Sequence, residues 1–227
     1  VAEADFDGDG RQDLFVSNSR GQGHAAYRSR GTAFANARPL FATAFGTNDT
    51  GWGDSWVDLN NDGRLDLVVA NGAIPVTDLA RDAGPIQVLE NLPAGFVNAS
   101  SLVGRLPRVN GRGVAAADFD NDGRVDLAVS SIGGKLILLR ATGGAGHWLE
   151  VRLPRFAPGA TVTAILPDGS RLVREVHAGS SYLSSEDPRV HFGLGRATSV
   201  HGLTVRYPDG RTTRLQNVPA DRVVMAP

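Results

Sequence analysis

Cysteine is absent from the 227 residues, and lysine and methionine occur once each, at Lys135 and Met225. Without thiols there is no disulfide framework and no thiolate metal site, and the redox compartment is unreadable from this source. No apolar run approaches the length of a membrane span, and no segment keeps a helical period through three turns. Glycine and proline are plentiful, at 28 and 12 residues, and short apolar runs lie between them. That pattern spells many turns and short strands, so the expected fold class is all-β. Hydrophobic residues at 41% and charged residues at 21% are ordinary for a folded globular chain. The front carries no charged-then-apolar leader and opens on Val1, so a processed or excised piece is expected.

Acidic residues are abundant and strongly clustered. Three near-copies of one string occur: DFDGDGRQD at 5–13 (loop 1), DLNNDGRLD at 58–66 (loop 2) and DFDNDGRVD at 118–126 (loop 3). They hold 11 of the 24 acids and three of the 23 Lys and Arg, leaving 13 acids against 20 bases elsewhere, a balance of +7 behind a formal net charge of −1. Three divalent cations in the loops would carry the whole chain to +5 and favour anionic partners such as acidic glycans through long-range steering. A solvated, arginine-rich surface is the plainer reading of the same balance. No nucleic-acid partner is expected.

Carboxylates on alternate residues would repel one another in water, so the chain there is either locally disordered or gathered around a cation. A single Asn-Asp-Gly loop is an ordinary turn former. Three copies of D-x-[DN]-x-D-G-x-x-D are another matter, since average residue usage yields the pattern at roughly one start in a million. Hard oxygen ligands on alternate positions, with glycine at position 6 where the chain turns sharply, point to calcium; zinc would want His or Cys. The candidate metal set is Asp5, Asp7, Asp9, Arg11 and Asp13; Asp58, Asn60, Asp62, Arg64 and Asp66; and Asp118, Asp120, Asp122, Arg124 and Asp126, giving about three Ca²⁺ sites. An EF-hand would place a bidentate Glu at position 12, where this chain has Val16, Val69 and Val129. The runs that follow, LFVSN, LVVAN and LAVSS, read as buried strands and not as helices. Loop 2, with Asn60 in place of a carboxylate, is expected to be the weakest site.

The loops start 53 and then 60 residues apart, the size of a four-stranded propeller blade. With their D-L-x-V strands they resemble the FG-GAP and VCBS-type repeats of integrin-α-like β-propellers, in which calcium ties strands together within each blade. The segments GWGDSWVDLNNDGRLDLVVANG and GRGVAAADFDNDGRVDLAVSS are especially similar to repeats of the cartilage acidic protein family. From His147 onward, two Pro-Asp-Gly turns (167–169 and 208–210) separate alternating strands such as Leu203, Val205 and Tyr207 against Thr204 and Arg206. That stretch, above all AGSSYLSSEDPRVHFGLG, resembles the ASPIC/UnbV module that follows such propellers. The expected organisation is therefore 1–146 propeller repeats and 147–227 an antiparallel β domain. Three repeats make at most three blades where closed propellers have four to eight, so a partial propeller is expected: an open arc, its upstream blades missing from this chain, with the C-terminal domain packed on the last blade.

The resemblance implies a calcium-binding recognition or adhesion module of the cell surface, extracellular space or periplasm, with structural ions and a protein or glycan ligand. The alternative is a calcium-dependent enzyme or auxiliary enzyme holding substrate on the propeller face or C-terminal module; loss of turnover on mutating His177 or His191 with the fold intact would favour it. His147, His177, His191 and His201 all lie in that module, yet no G-x-S-x-G, H-E-x-x-H or phosphate-cradling loop accompanies them. Of the tryptophans, Trp56 and Trp148 are expected in cores, and Trp52, between Gly51 and Gly53, as an exposed ring.

Overall fold

The computed structural model describes residues 1–42, 44–46, 48–144 and 146–227. Apart from a 3-10 turn at Arg38–Phe41, its regular elements are strands. β1 (Ala2–Ala4), β2 (Asp13–Val16), β3 (Ala25–Ser29) and β4 (Phe34–Asn36) form an antiparallel sheet in chain order. The second sheet is β5 (Gly51–Val57), β6 (Asp66–Gly72), β7 (Ala83–Leu92) and β8 (Gly95–Asn98), with β9 (Arg108–Val109) also paired to β7. The third is β10 (Gly111–Ala117), β11 (Asp126–Ser131) and β12 (Ile137–Leu139). The acidic loops are the hairpin connections β1–β2, β5–β6 and β10–β11.

The remaining strands are β13 (His147–Arg152), β14 (Thr161–Ile165), β15 (Arg171–Glu175), β16 (Val190–Gly195), β17 (Ser199–Arg206), β18 (Thr212–Pro219) and β19 (Arg222–Met225). They divide into two sheets, ordered β16-β13-β19 and β15-β14-β17-β18, and β19 lies parallel to β13. Five small sheets result, arranged as a five-bladed β-propeller. This corrects the expected open arc of three repeats with a separate C-terminal domain, while the all-β class stands. A single cavity of about 110 Å³ receives residues of all five sheets: Ala2–Ala4, Trp56 and Val57, Ala116 and Ala117, Val173–Glu175, and Glu150 with His191. The arc was expected because only blades with an acidic loop announce themselves in sequence. The fourth and fifth sheets are assembled from interleaved strands, and a parallel pairing between β13 and the distant β19 leaves no local trace.

Three apolar cores lie between neighbouring sheets, and period-2 alternation in the strands builds them. β6 is buried on both faces. Its Leu67 and Val69 enter a core shared with Phe15 and Phe96 of the first two sheets and with Phe6, Phe41 and Phe45 of the connections between strands. Val68 and Ala70 point the other way, into a core with Val114, Leu127 and Val129 of the third sheet. Complete burial of each Leu or Val contributes roughly 1.5–3 kcal/mol, so this one strand binds three sheets. The third core, with Leu149, Phe192, Val162 and Leu203 fully or nearly fully buried, joins the two C-terminal sheets.

His24 sits in the aromatic core, edge-on to Phe15 and Phe45, its Nδ1 accepting the N–H of Asn18 at 3.0 Å. Burial, then the nearby Arg38 charge, push its pKa from 6.5 down to about 4. Between those values the unfolded chain binds a proton that the folded chain refuses, so the stability His24 contributes is present above pH 6.5 and lost as pH falls toward 4. His24→Asn keeps an acceptor for Asn18 and removes the titration. In chelator, the stability gap between wild type and this variant should shrink by roughly 2 kcal/mol from pH 7 to pH 4.5 in denaturant titrations; a gap that stays constant would contradict the assignment.

Candidate metal loops

The three loops share one backbone. Position 4 (Gly8, Asn61, Asn121) has φ of 75°, 59° and 58°, and position 6 (Gly10, Gly63, Gly123) has φ of 87°, 94° and 85°. Two left-handed residues per loop explain why the motif reads Asn-Asp-Gly or Gly-Asp-Gly: only glycine and, less readily, asparagine adopt that conformation at low cost. The turn aims backbone N–H groups at the position 1 carboxylate. Gly10, Gly63 and Gly123 donate to Asp5, Asp58 and Asp118 at 2.9, 2.8 and 2.7 Å. The position 9 carboxylate instead reaches the third strand of its sheet or the segment just after it, where Ser29, Asn91 and Ala141 donate their N–H to Asp13, Asp66 and Asp126 at 2.8, 2.8 and 2.7 Å.

Positions 1, 3 and 9 converge. In loop 1, Asp5, Asp7 and Asp13 each offer a carboxylate oxygen within 4.8 Å of the others, and in loop 3 so do Asp118, Asp120 and Asp126. Loop 2 brings the buried Asp58 and Asp66 to the same places, with Asn60 at position 3. Position 5 is turned toward the arginine at position 7: Arg11, Arg64 and Arg124 pair with Asp9, Asp62 and Asp122. A guanidinium offers no lone pair, so these arginines have only a backbone carbonyl to give a metal.

Electrostatics makes the clusters costly without a cation. Burial, with neighbouring carboxylates adding to it, raises the pKa of Asp13 to about 6 and of Asp66 to about 7, and lifts Asp5 and Asp126 as well. Asp58 rises to about 6 through burial, against the lowering effect of Arg174. In loop 1, Asp5 Oδ1 and Asp13 Oδ2 are buried with no hydrogen-bond partner. Leaving such atoms unsatisfied costs about 1–3 kcal/mol each, and a hard cation among an all-oxygen donor set would satisfy them. The residues present fit calcium.

The C-terminal sheets rest on these loops. Gly195 donates its N–H to the Asn61 carbonyl at 2.8 Å, and a Cβ on Gly193 would lie 2.1 Å from Asp58 Oδ2, so only glycine fits there. Arg174 donates to the Gly63 carbonyl at 3.0 Å. Arg189 donates to the Asp118 carbonyl at 2.6 Å, Asn121 Oδ1 at 2.7 Å and the buried Glu150 at 2.6 Å.

His191 is half-buried beneath loop 3, donating from Nε2 to the Gly123 carbonyl at 3.1 Å; desolvation lowers its pKa to about 4, so it is neutral at pH 7. His177 lies 3.6 Å from Glu3, His147 pairs with Asp221 at 2.7 Å, and His201 is exposed. Trp56 stacks on Phe6, and Trp148 is half-buried against Gly123. Trp52 is covered more than expected: Arg112 lies over its ring at 4.1 Å, Tyr182 meets it edge-on, and its Nε1 donates to the Gly72 carbonyl at 2.8 Å. Among the described residues no helix is long and apolar enough to cross a membrane.

The chain matches the FG-GAP-like repeat family over residues 5–69 and the ASPIC and UnbV family over residues 150–226. Cartilage acidic protein 1 of Mus musculus is 29% identical over 226 residues, a match that takes in 93% of this chain and 34% of the relative. The Homo sapiens protein of that name is 29% identical over 227 residues, covering 93% of this chain and 33% of the relative. The Xenopus tropicalis protein is 29% identical over 226 residues, covering 93% and 34%. The chain thus spans about a third of the length of these relatives.

Proposed function

We propose that this homologue of cartilage acidic protein 1, which carries an FG-GAP-like repeat and an ASPIC/UnbV module, is a calcium-stabilised extracellular recognition or adhesion module. The observation that carries the calcium reading is the convergence of positions 1, 3 and 9 in loops 1 and 3, with two buried carboxylate oxygens of loop 1 left unpartnered. Calcium bound there neutralises the carboxylates and draws each hairpin toward the third strand, to which position 9 is already bonded. The ions are structural, and recognition belongs to surfaces outside the loops. A protein or anionic glycan is the ligand class that fits the arginine-rich remainder of the chain. Sites of this ligand type saturate at about 10⁻⁴ to 10⁻³ M calcium, which suits an extracellular or cell-surface setting. Division of the chain at residue 146 into repeat and ASPIC/UnbV parts belongs to the same reading. Calorimetric titration of the intact chain with calcium is expected to give about three binding events in that range; an absence of binding at millimolar calcium would overturn the proposal.

A further inference from the structure

The third strand of each repeat sheet, or in the third sheet the residue just after it, brings a further charged side chain to its loop, and the three instances differ in sign. Ser29, Asn91 and Ala141, the residues whose N–H groups bond the position 9 carboxylates, mark equivalent places in the three sheets. The residue before each is Arg28, Glu90 and Arg140. Arg28 pairs with Asp7 at position 3 of loop 1, and Arg140 pairs with Asp120 at position 3 of loop 3 at 2.5 Å. In loop 2 the pair is inverted, with Asn60 Nδ2 at position 3 donating to Glu90 Oε1 at 3.2 Å. Where position 3 is a carboxylate its strand partner is cationic, and where it is a neutral amide the partner is anionic.

This inversion changes the charge at each loop. Taking the loop acids together with the position 7 arginine and the third-strand residue, loops 1 and 3 each net −2, whereas loop 2 nets −3. Position 3 of loops 1 and 3 is also already engaged by a guanidinium, which an entering cation must displace. Asn60 Oδ1 meets no such competitor, and Asn60, Asp66 and Glu90 line one open groove.

We propose that this third-strand residue sets each loop's affinity for a divalent cation. Glu90 returns to loop 2 the carboxylate charge that Asn60 lacks, while Arg28 and Arg140 act as tethered competitors in loops 1 and 3. Loop 2 therefore fills first, reversing the order expected from the loop sequences alone. The inference rests on the calcium reading above and adds to it a residue outside the motif and a ranking of the sites.

The test is calorimetric titration of the intact chain with calcium, repeated on Glu90→Gln, Arg28→Gln, Arg140→Gln and Asp62→Ala. Glu90→Gln retains an acceptor for Asn60 and removes only the charge. It should weaken the tightest binding event about tenfold and leave the other two in place, an effect of the size that outer partners of metal ligands produce. Arg28→Gln and Arg140→Gln should each tighten one of the weaker events several-fold, and Asp62→Ala, which takes one carboxylate from loop 2, should weaken the tightest. Far-ultraviolet circular dichroism checks that each variant is folded; if Glu90→Gln unfolds, Glu90→Ala takes its place with the same expected weakening of the tightest event. If the wild type binds calcium but Glu90→Gln leaves every event unchanged, or Asp62→Ala weakens the weakest one instead, this inference falls and the calcium reading stands. If the wild type binds no calcium, both fall together.

Discussion

Addition of about 10 mM calcium to the metal-free chain should raise its melting temperature by roughly 8–30 °C. Ligand present at ten to a hundred times its Kd stabilises the folded state by about 1.4–2.7 kcal/mol per site, or about 4–8 kcal/mol over three loops. For a chain of this size each kcal/mol is worth about 2–4 °C. Magnesium, which demands a tighter octahedron and keeps its waters, should do much less. Asp62→Ala and Asp122→Ala should each remove about a third of the calcium-dependent rise while hardly moving the melting temperature in EDTA. Both aspartates are partly exposed at the loop tips, so the fold loses little when they go. Thermal melts with and without chelator decide the matter: an intact chain indifferent to EDTA would end the calcium account.

Arg189→Met should destabilise the chain by about 3–5 kcal/mol, the largest effect expected of any single surface-derived charge here. Its guanidinium is 18% exposed and serves four partners at once: Asp187, Glu150, Asn121 and the Asp118 carbonyl. Glu150 is 2% exposed, and burial already raises its pKa to about 7 against the pull of Arg189. Removing the arginine leaves that carboxylate in the interior without its cation. The second substitution Glu150→Leu should therefore recover much of the loss, because a hydrophobic side chain of similar volume has no charge to desolvate. Equilibrium denaturation of the two single variants and the double variant tests this. A loss below about 1 kcal/mol for Arg189→Met, or a double variant worse than both singles, would show that the ion pair does not hold loop 3 against the C-terminal sheets.

The acidic loops were legible in sequence because their chemistry is local. Carboxylates at positions 1, 3 and 9 and a left-handed glycine at position 6 lie within nine residues, and the strands that follow are β-branched and apolar. The burial of Leu67, Val68, Val69 and Ala70 follows from the same signal. What lay outside one loop's span was illegible. Arg28, Glu90 and Arg140 stand at unequal distances along the chain from the loops they serve, since the connections from second to third strand differ in length, so no fixed spacing marks them. The assembly of the last two sheets from interleaved strands, which makes five blades of what looked like three and an appendage, depends on pairing between residues that share no pattern. Trp52 reads as exposed between two glycines, but its cover comes from Arg112 and Tyr182, both remote in sequence.

The parallel pairing of β13 with β19 also favours an order of events in folding. Leu149 meets Arg222 only after nearly all of the intervening chain has been traversed, whereas each acidic hairpin joins strands a few residues apart. Entropy lost in closing a long loop must be met before its contacts return anything, so distant pairings form slowly. The hairpins can form as soon as their own residues are available, and the sheet β16-β13-β19 must wait. Since Gly193, Gly195 and His191 of that sheet are what cover loops 2 and 3, the loops spend the early life of the folding chain open to solvent. An ion would thus meet them before the lid that later encloses them is in place.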